Sequence, residues 1–295
     1  MNTPSQSIAL NIANFRTQML SSLMNLGADA GSSFGSILAN VQAGNESPLS
    51  ALNLNGSVGA NALSSSGGLT ATLSDPGSAY MMMTKINSLD VTYKSQYSEL
   101  SQMDSYLPRI AAAAKELGKT ATTDANDSIK TRLQDFVQQY NAWVQRFSPD
   151  VQPGGVLENT QAGEIPLYEL DQVIENRFIG AKDDLRGLAD LGVSVDKKTH
   201  LVSLDGSRLD AALKSDKQAV VDALGEFSTK LAASANLLAS DDNLIQHRLN
   251  NLGGAISYID GNLGSWKQEF GTGDAANPNG QVQRALAAYS GASGI

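Results

Sequence analysis

Near the C-terminus the large apolar residues Ile245, Leu249, Leu252, Ile256, Ile259, Leu263, Trp266 and Phe270 alternate in steps of four and three without interruption. That is a strict 3.5-residue repeat, the period of a helix that buries one seam against a partner and supercoils left-handedly with it. Few folds accept such a stretch apart from a helical pair or bundle. A second stripe lies upstream between about Ser78 and Gly118, where Ile86, Leu89, Tyr93, Tyr97, Leu100, Met103, Leu107, Ile110, Ala114 and Leu117 are spaced only by threes and fours. The two stripes predict a pair of long antiparallel, coiled-coil-like helices. Gly253, Gly254, Gly261 and Gly264 each weaken the later helix by about 1 kcal/mol relative to Ala, so it should hold only when packed. Pro108 is expected to kink or divide the earlier one, because it removes a backbone donor and crowds the preceding turn.

Between these helices the chain continues to read as mostly α. Ile129, Leu133, Phe136, Tyr140, Val144 and Phe147 mark a helix from about Ser128 that should stop before Pro149. After a Pro/Gly loop from Pro153 to Gly163, a further helix shows Leu167, Leu170, Ile174 and Phe178 on one face. At the N-terminus Ile8, Ile12, Phe15, Met19, Leu23 and Leu26 outline an amphipathic helix, followed by a Gly/Ser/Asn-rich stretch with SSSGG at Ser64 to Gly68 that reads as flexible linker. Beyond Phe270 the chain breaks at Gly271 to Gly280, carries one short helix around Val282 to Tyr289, and ends in small residues. The expected organisation is therefore an N-terminal segment over 1–77, a helical domain over 78–270 and a flexible tail over 271–295.

The strand signal is confined to one place. Val193 and Val195 alternate with Ser194 and Asp196, and Val202 and Leu204 with Ser203 and Asp205, around the polar KKTH turn. This reads as a two-stranded hairpin with one apolar face. Ser207 is placed to cap the helix carrying Leu209, Ala212 and Leu213, and Ser215 with Gln218 to form a capping box for the helix carrying Val220, Val221 and Leu224, continuing through Phe227 to Leu238. An isolated hairpin is marginal in water, so the helices that follow supply its cover. The fold class is mostly α with a small β-hairpin.

The order Leu191-Gly192-Val193, Asp196, Leu201, Leu204, Leu209-Asp210-Ala211-Ala212-Leu213, Val220, Leu224 and Phe227 resembles the C-terminal region of the flagellar filament-capping, or hook-associated protein 2, family. The upstream run Phe136-Val137, Tyr140-Asn141 and Val144 is similar to a Tyr-Asn helix that the family places ahead of this hairpin. The resemblance covers roughly 129–270 and labels Leu191, Gly192, Leu209, Ala212, Leu213 and Phe227 as a family module. It implies the leg of a flagellar axial protein, exported by a type III route and assembling with itself or with other axial proteins such as hook-associated proteins and flagellin, with an export chaperone as a further partner. Three departures stand out. Only Lys119 to Asp127 occupies the place of the family's large head, the chain turns glycine-rich at Gly271 where the family tends to finish in a long helix, and Thr199 stands where the family's hairpin turn commonly has Gly.

Charge and composition narrow the chemistry. The chain of 295 residues has 21 Lys and Arg against 30 Asp and Glu, a formal charge of −9, and no basic cluster, which disfavours nucleic-acid binding. The absence of Cys excludes disulfides, thiolate metal sites and a cysteine nucleophile. No apolar run is long enough for a membrane span, and the start lacks the features of a cleaved secretory signal. His200 and His247 are the only histidines, Asp183-Asp184 and Asp241-Asp242 lack the spaced ligands and Gly of a calcium loop, and no nucleophile or phosphate-loop motif is present. Met81-Met82-Met83 is either an adaptable sticky patch or helix-start packing. The expectation is a structural protein without catalytic residues, metal or cofactor. Its candidate assembly interface is the seam Ile86, Leu89, Tyr93, Tyr97, Leu100, Ile245, Leu249, Leu252, Ile256, Ile259, Leu263, Trp266 and Phe270, against the simpler reading that these residues close the chain's own fold. The missing head leaves a second function open, an exported or cell-associated coiled-coil adaptor or adhesin reusing the leg.

Overall fold

A computed structural model of the chain describes residues 76–176, 185 and 187–293. The helix expected over 8–26, the Gly/Ser/Asn-rich stretch after it, Phe178 and Asp183-Asp184 lie outside the described residues. The elements in order are α1 (Pro76–Leu117), α2 (Asn126–Val151), α3 (Gln161–Glu175), a 3₁₀ turn (Leu188–Leu191), β1 (Val193–Val195), β2 (Val202–Leu204), α4 (Gly206–Ser215), α5 (Lys217–Leu238), α6 (Leu244–Phe270) and α7 (Gly280–Ser293). The fold is mostly α with one antiparallel hairpin. Among the described residues no helix is long and apolar enough to cross a membrane.

The chain forms two compact units, and α1 and α6 each contribute to both. The first unit holds, among the described residues, 76–94 and 250–286. Its core is the seam itself: Met83, Ile86, Leu89 and Tyr93 of α1 and Leu252, Ile256, Ile259 and Trp266 of α6 are buried, with Ala285 of α7. Lys94 Nζ donates to Asp260 at 2.8 Å and also pairs with Asp90 on its own helix. After α6, α1 holds the descending chain. Asn87 Nδ2 donates to the carbonyls of Thr272 and Asp274, Thr84 Oγ1 accepts from the Asp274 amide, and Tyr80 donates to the Asp274 carboxylate. The Met run divides by face, with Met83 buried and Met81 exposed.

The second unit holds, among the described residues, 95–176, 185, 187–249 and 287–293. Leu100, Met103, Leu107 and Ile110 of α1, Leu133, Phe136, Trp143 and Phe147 of α2, and Val220, Leu224, Phe227 and Leu231 of α5 fill its core. Phe136 meets Phe227 edge-on at 5.3 Å between ring centroids, and Trp143, Phe147 and Tyr106 form an aromatic cluster. Here α1 and α6 run antiparallel: Gln96 bonds Arg248, whereas Asp104, further along α1, bonds Gln246, further back on α6.

Several local expectations need correction. Pro108 does not divide α1, which continues for 42 residues. Its ring faces solvent, where water can serve the freed carbonyl, while Leu107 and Ile110 on either side are fully buried. Pro149 likewise lies exposed inside α2 rather than beyond its end. The caps shift to neighbouring carboxylates. Asp205 accepts from the amides of Ser207 and Arg208, and Asp216 from that of Ala219, in place of Ser207 and Ser215. A carboxylate both satisfies the orphan amides and complements the helix dipole, so it outcompetes an adjacent hydroxyl. The short C-terminal helix is longer than the pattern indicated, Gly280–Ser293 against 282–289.

The hairpin forms where the alternation placed it, in the register Val193↔Leu204, Ser194↔Ser203 and Val195↔Val202. Val193 and Val202 are buried, and the Ser194 and Ser203 hydroxyls bond each other at 2.9 Å on the exposed face. Gly192 opens it at φ 87°, where a Cβ would stand 2.6 Å from the Asp205 carbonyl oxygen. Gly192→Ala is therefore expected to destabilise the chain by about 1–3 kcal/mol, read as a drop in the thermal midpoint, since both the left-handed backbone and the close approach to Asp205 exclude a side chain.

Candidate functional site

The hairpin is fastened to the helices by the Tyr-Asn pair of α2. The α2 stripe turns Tyr140 inward, where its hydroxyl donates to Asp171 Oδ1 of α3 at 2.8 Å. Asp171 Oδ2 in turn meets Nδ1 of His200 in the hairpin turn. Burial, then the Asp171 charge and hydrogen bond, push the Tyr140 phenol well above its ordinary range, so it remains a donor at any physiological pH. The neighbouring Asn141 lies across the free edge of β2. Its Oδ1 accepts from the Val202 amide at 2.8 Å and its Nδ2 donates to the Val202 carbonyl at 2.8 Å. One side-chain amide thus does for β2 what a third strand would do.

The turn departs from glycine chemistry in a defined way. Asp196 Oδ1 accepts from the Lys198 amide, the Thr199 amide at 2.7 Å and the Thr199 hydroxyl at 2.9 Å. The Thr199 and Lys198 hydrogen bonds hold the Asp196 carboxyl below the usual range. The left-handed residue is His200, at φ 60°, one position after Thr199. Thr199 thereby keeps a backbone that a β-branched residue accepts and adds a hydroxyl that closes the turn.

Beside this clasp, α2, α3 and the turn enclose a groove of about 140 Å³, lined by Val144 and Val151 of α2 and Leu167 and Tyr168 of α3, with Glu164, Asp171 and His200 at its polar side. Tyr168 is 61% exposed, unlike the buried aromatics of the core.

A second polar cluster joins α1 to α2 in the same unit. Arg146 donates through Nη2 to Glu99 and to Gln102 Oε1, and through Nη1 to Asp150 Oδ2 at 3.0 Å. The carboxylates of Glu99 and Asp150 are 7% and 8% exposed and share one guanidinium, itself 35% exposed. Burial and the Glu99 charge push Asp150 up to about 6, against the opposing pull of Arg146.

Of the family-label residues, Leu191, Leu209, Leu213 and Phe227 are buried, Ala212 is half-buried and Gly192 takes a left-handed backbone ahead of β1. The proposed assembly seam is placed differently. Ile86, Leu89, Tyr93, Leu100, Ile245, Leu249, Leu252, Ile256, Ile259 and Trp266 are buried within the single chain, and Tyr97, Leu263 and Phe270 are half-buried. Tyr97 meets Tyr289 of α7 edge-on at 5.9 Å. Burial inside one chain accounts for the stripe's period without a second copy. His247, Asp241 and Asp242 are exposed around the start of α6, and among the described residues no group of three or more His, Asp or Glu could hold a metal. Spacing did not reveal the roles of Asp171, His200, Asn141 or the Arg146 cluster. The one available signal was Asp171 itself, a charge set between Leu170 and Ile174 on the apolar side of α3.

A family profile described as "Flagellar hook-associated protein 2 C-terminus" matches residues 111–272, more than half of the chain and beginning earlier than the resemblance read from the sequence. A crystal structure of the flagellar cap protein FliD D1-D2-D3 domains from Escherichia coli is similar at 22% identity with a TM-score of 0.39. The alignment covers 43% of this chain and 37% of that one, so the chain spans little more than a third of the cap-protein chain it matches. No curated protein matches.

Proposed function

This chain belongs to the flagellar hook-associated protein 2 C-terminal family, and from that premise we propose that it is a structural element of the flagellum, the leg of a cap-like axial protein. The observation that supports the reading is the clasp: the Tyr140-Asn141 pair, which in sequence resembles the family's Tyr-Asn helix, holds the hairpin through Val202 and through Asp171 of α3 with His200. In this reading the leg occupies 78–270, is exported by the flagellar type III route, with or without a chaperone, and assembles with copies of itself or with other axial subunits. Because the seam is buried in one chain, assembly uses the outer faces of α1 and α6, or exchange of these helices between copies. Shearing flagella from cells and probing the fraction with an antibody tests the proposal. The protein is expected in the sheared fraction, and its confinement to the cytosol of flagellated cells would refute export.

One observation favours a second reading. The link from α1 to α2 spans only residues 118–125, which leaves no room for the head that the family carries there. A headless leg docks but lacks a surface to order incoming subunits, as suits an exported or cell-associated coiled-coil adaptor or adhesin. Under this reading a deletion strain assembles filaments and swims normally, whereas loss of filaments points to capping.

A further inference from the structure

We propose that the groove beside Tyr168 is a docking site for a partner protein that presents a cationic amphipathic helix and seats one large apolar side chain against Val144, Val151 and Leu167. The inference rests on the assembly role above only for the partner's biological setting, since the binding surface is argued from its own chemistry.

Size decides the kind of ligand. At about 140 Å³ the groove falls well below the roughly 300–1,000 Å³ of small-molecule sites, and suits a single anchoring side chain. Tyr168 stands at its edge, largely exposed, and an accessible tyrosine next to an apolar pocket is the composition of an interface hot spot. Charge decides the partner's sign. Helix α3 carries Glu164, Glu169, Asp171 and Glu175 and neither Lys nor Arg. His200 meets Asp171, and Lys197 pairs with Glu175, which neutralises the side of α3 toward the hairpin. Glu164, which lines the groove one turn before Tyr168, and Glu169, which directly follows Tyr168, are exposed and make no ion pair among the described residues. A partner that fills the apolar groove therefore meets the Glu164 carboxylate in its lining and comes near Glu169 beside Tyr168, and lysine or arginine one turn from its anchor complements them. An acidic partner is repelled.

The test uses the full chain and two fluorescein-labelled synthetic helical peptides of identical leucine pattern, one with lysine and one with glutamate at the polar positions, followed by fluorescence anisotropy. The leucine–lysine peptide is expected to bind, to weaken about tenfold or more on Tyr168→Ser and again on Glu164→Lys with Glu169→Lys, and to weaken in about 1 M salt, where the screening length is about 3 Å. Asp241→Lys with Asp242→Lys, which makes the same change of charge elsewhere on the exposed surface, should leave binding unchanged. Circular dichroism and thermal melting establish that each variant is folded. Equal binding of the glutamate peptide, an unaltered affinity in folded Tyr168→Ser, or equal weakening by the Asp241 and Asp242 substitutions would each overturn the proposal. These results do not depend on where the protein resides, so failure here and failure of the sheared-flagella experiment are distinguishable.

Discussion

Arg146→Ala is expected to destabilise the chain by about 3–5 kcal/mol at neutral pH, because it leaves the carboxylates of Glu99 and Asp150 buried without their shared counter-charge. Thermal or urea unfolding measures the loss, and a change below about 1 kcal/mol, the level of an exposed ion pair, would show that solvent already screens the cluster. The same cluster gives the wild-type protein a pH dependence with a definite sign. Asp150 titrates at about 6 in the folded chain, above its ordinary value of 3.8, so between those values the folded state holds more protons than the unfolded one. Stability contributed by this group is therefore fully present at low pH, falls as the pH rises from about 4 through about 6, and is level above that. Asp150→Asn keeps an acceptor for Arg146, adds a donor toward Glu99 and removes the titration. It should melt higher than wild type at pH 7 and lose this component of the pH slope; an unchanged slope between pH 4 and 7 would mean that Asp150 is not its source.

Asn141→Ala is the second large effect. Both Val202 backbone groups lose their partner at a partly buried edge, at roughly 1–3 kcal/mol for each group left unsatisfied, and about 2–4 kcal/mol in sum if water repairs part of the damage. Hydrogen exchange separates this from a general loss of packing, since the Val202 amide is bonded outward to Asn141 and not to β1. Its exchange should accelerate well ahead of the α2 amides. Asn141→Asp is a sharper probe, because a carboxylate still accepts from the Val202 amide but faces its carbonyl with no proton to give. It should fall between wild type and alanine at low pH and approach or exceed the alanine loss at neutral pH. If Asn141→Ala leaves the Val202 amide protected, the hairpin is held by packing and not by this side chain.

These two sites show how far the sequence reaches. The stripe through Ile129, Leu133, Phe136 and Tyr140 marks α2 and its buried face, yet the same stripe says nothing of what the Tyr140 hydroxyl meets, because Asp171 comes from another helix 31 residues on. Arg146 and Asp150 read locally as an ordinary i,i+4 surface pair. Only the arrival of Glu99 from α1 makes them a buried cluster with an excess negative charge. Pro108 and Pro149 are strong local breakers that the structure overrides, since the loss of one hydrogen bond on an exposed side is smaller than the burial of the residues around it.

The family module, the two long helices, the two strands of the hairpin and the absence of thiol chemistry were determined by the sequence alone, because periodicity and residue type act over one or two turns and do not depend on what lies opposite. Tertiary structure decided which face of α3 keeps Tyr168 in solvent beside a groove, which carboxylates lose water and share one guanidinium, and how Asn141 completes the edge of β2. It also buried in one chain the seam whose spacing was equally suited to a second copy. Each of these depends on distance and dielectric between residues far apart in sequence, and a helical stripe specifies that a face must be covered without specifying by what.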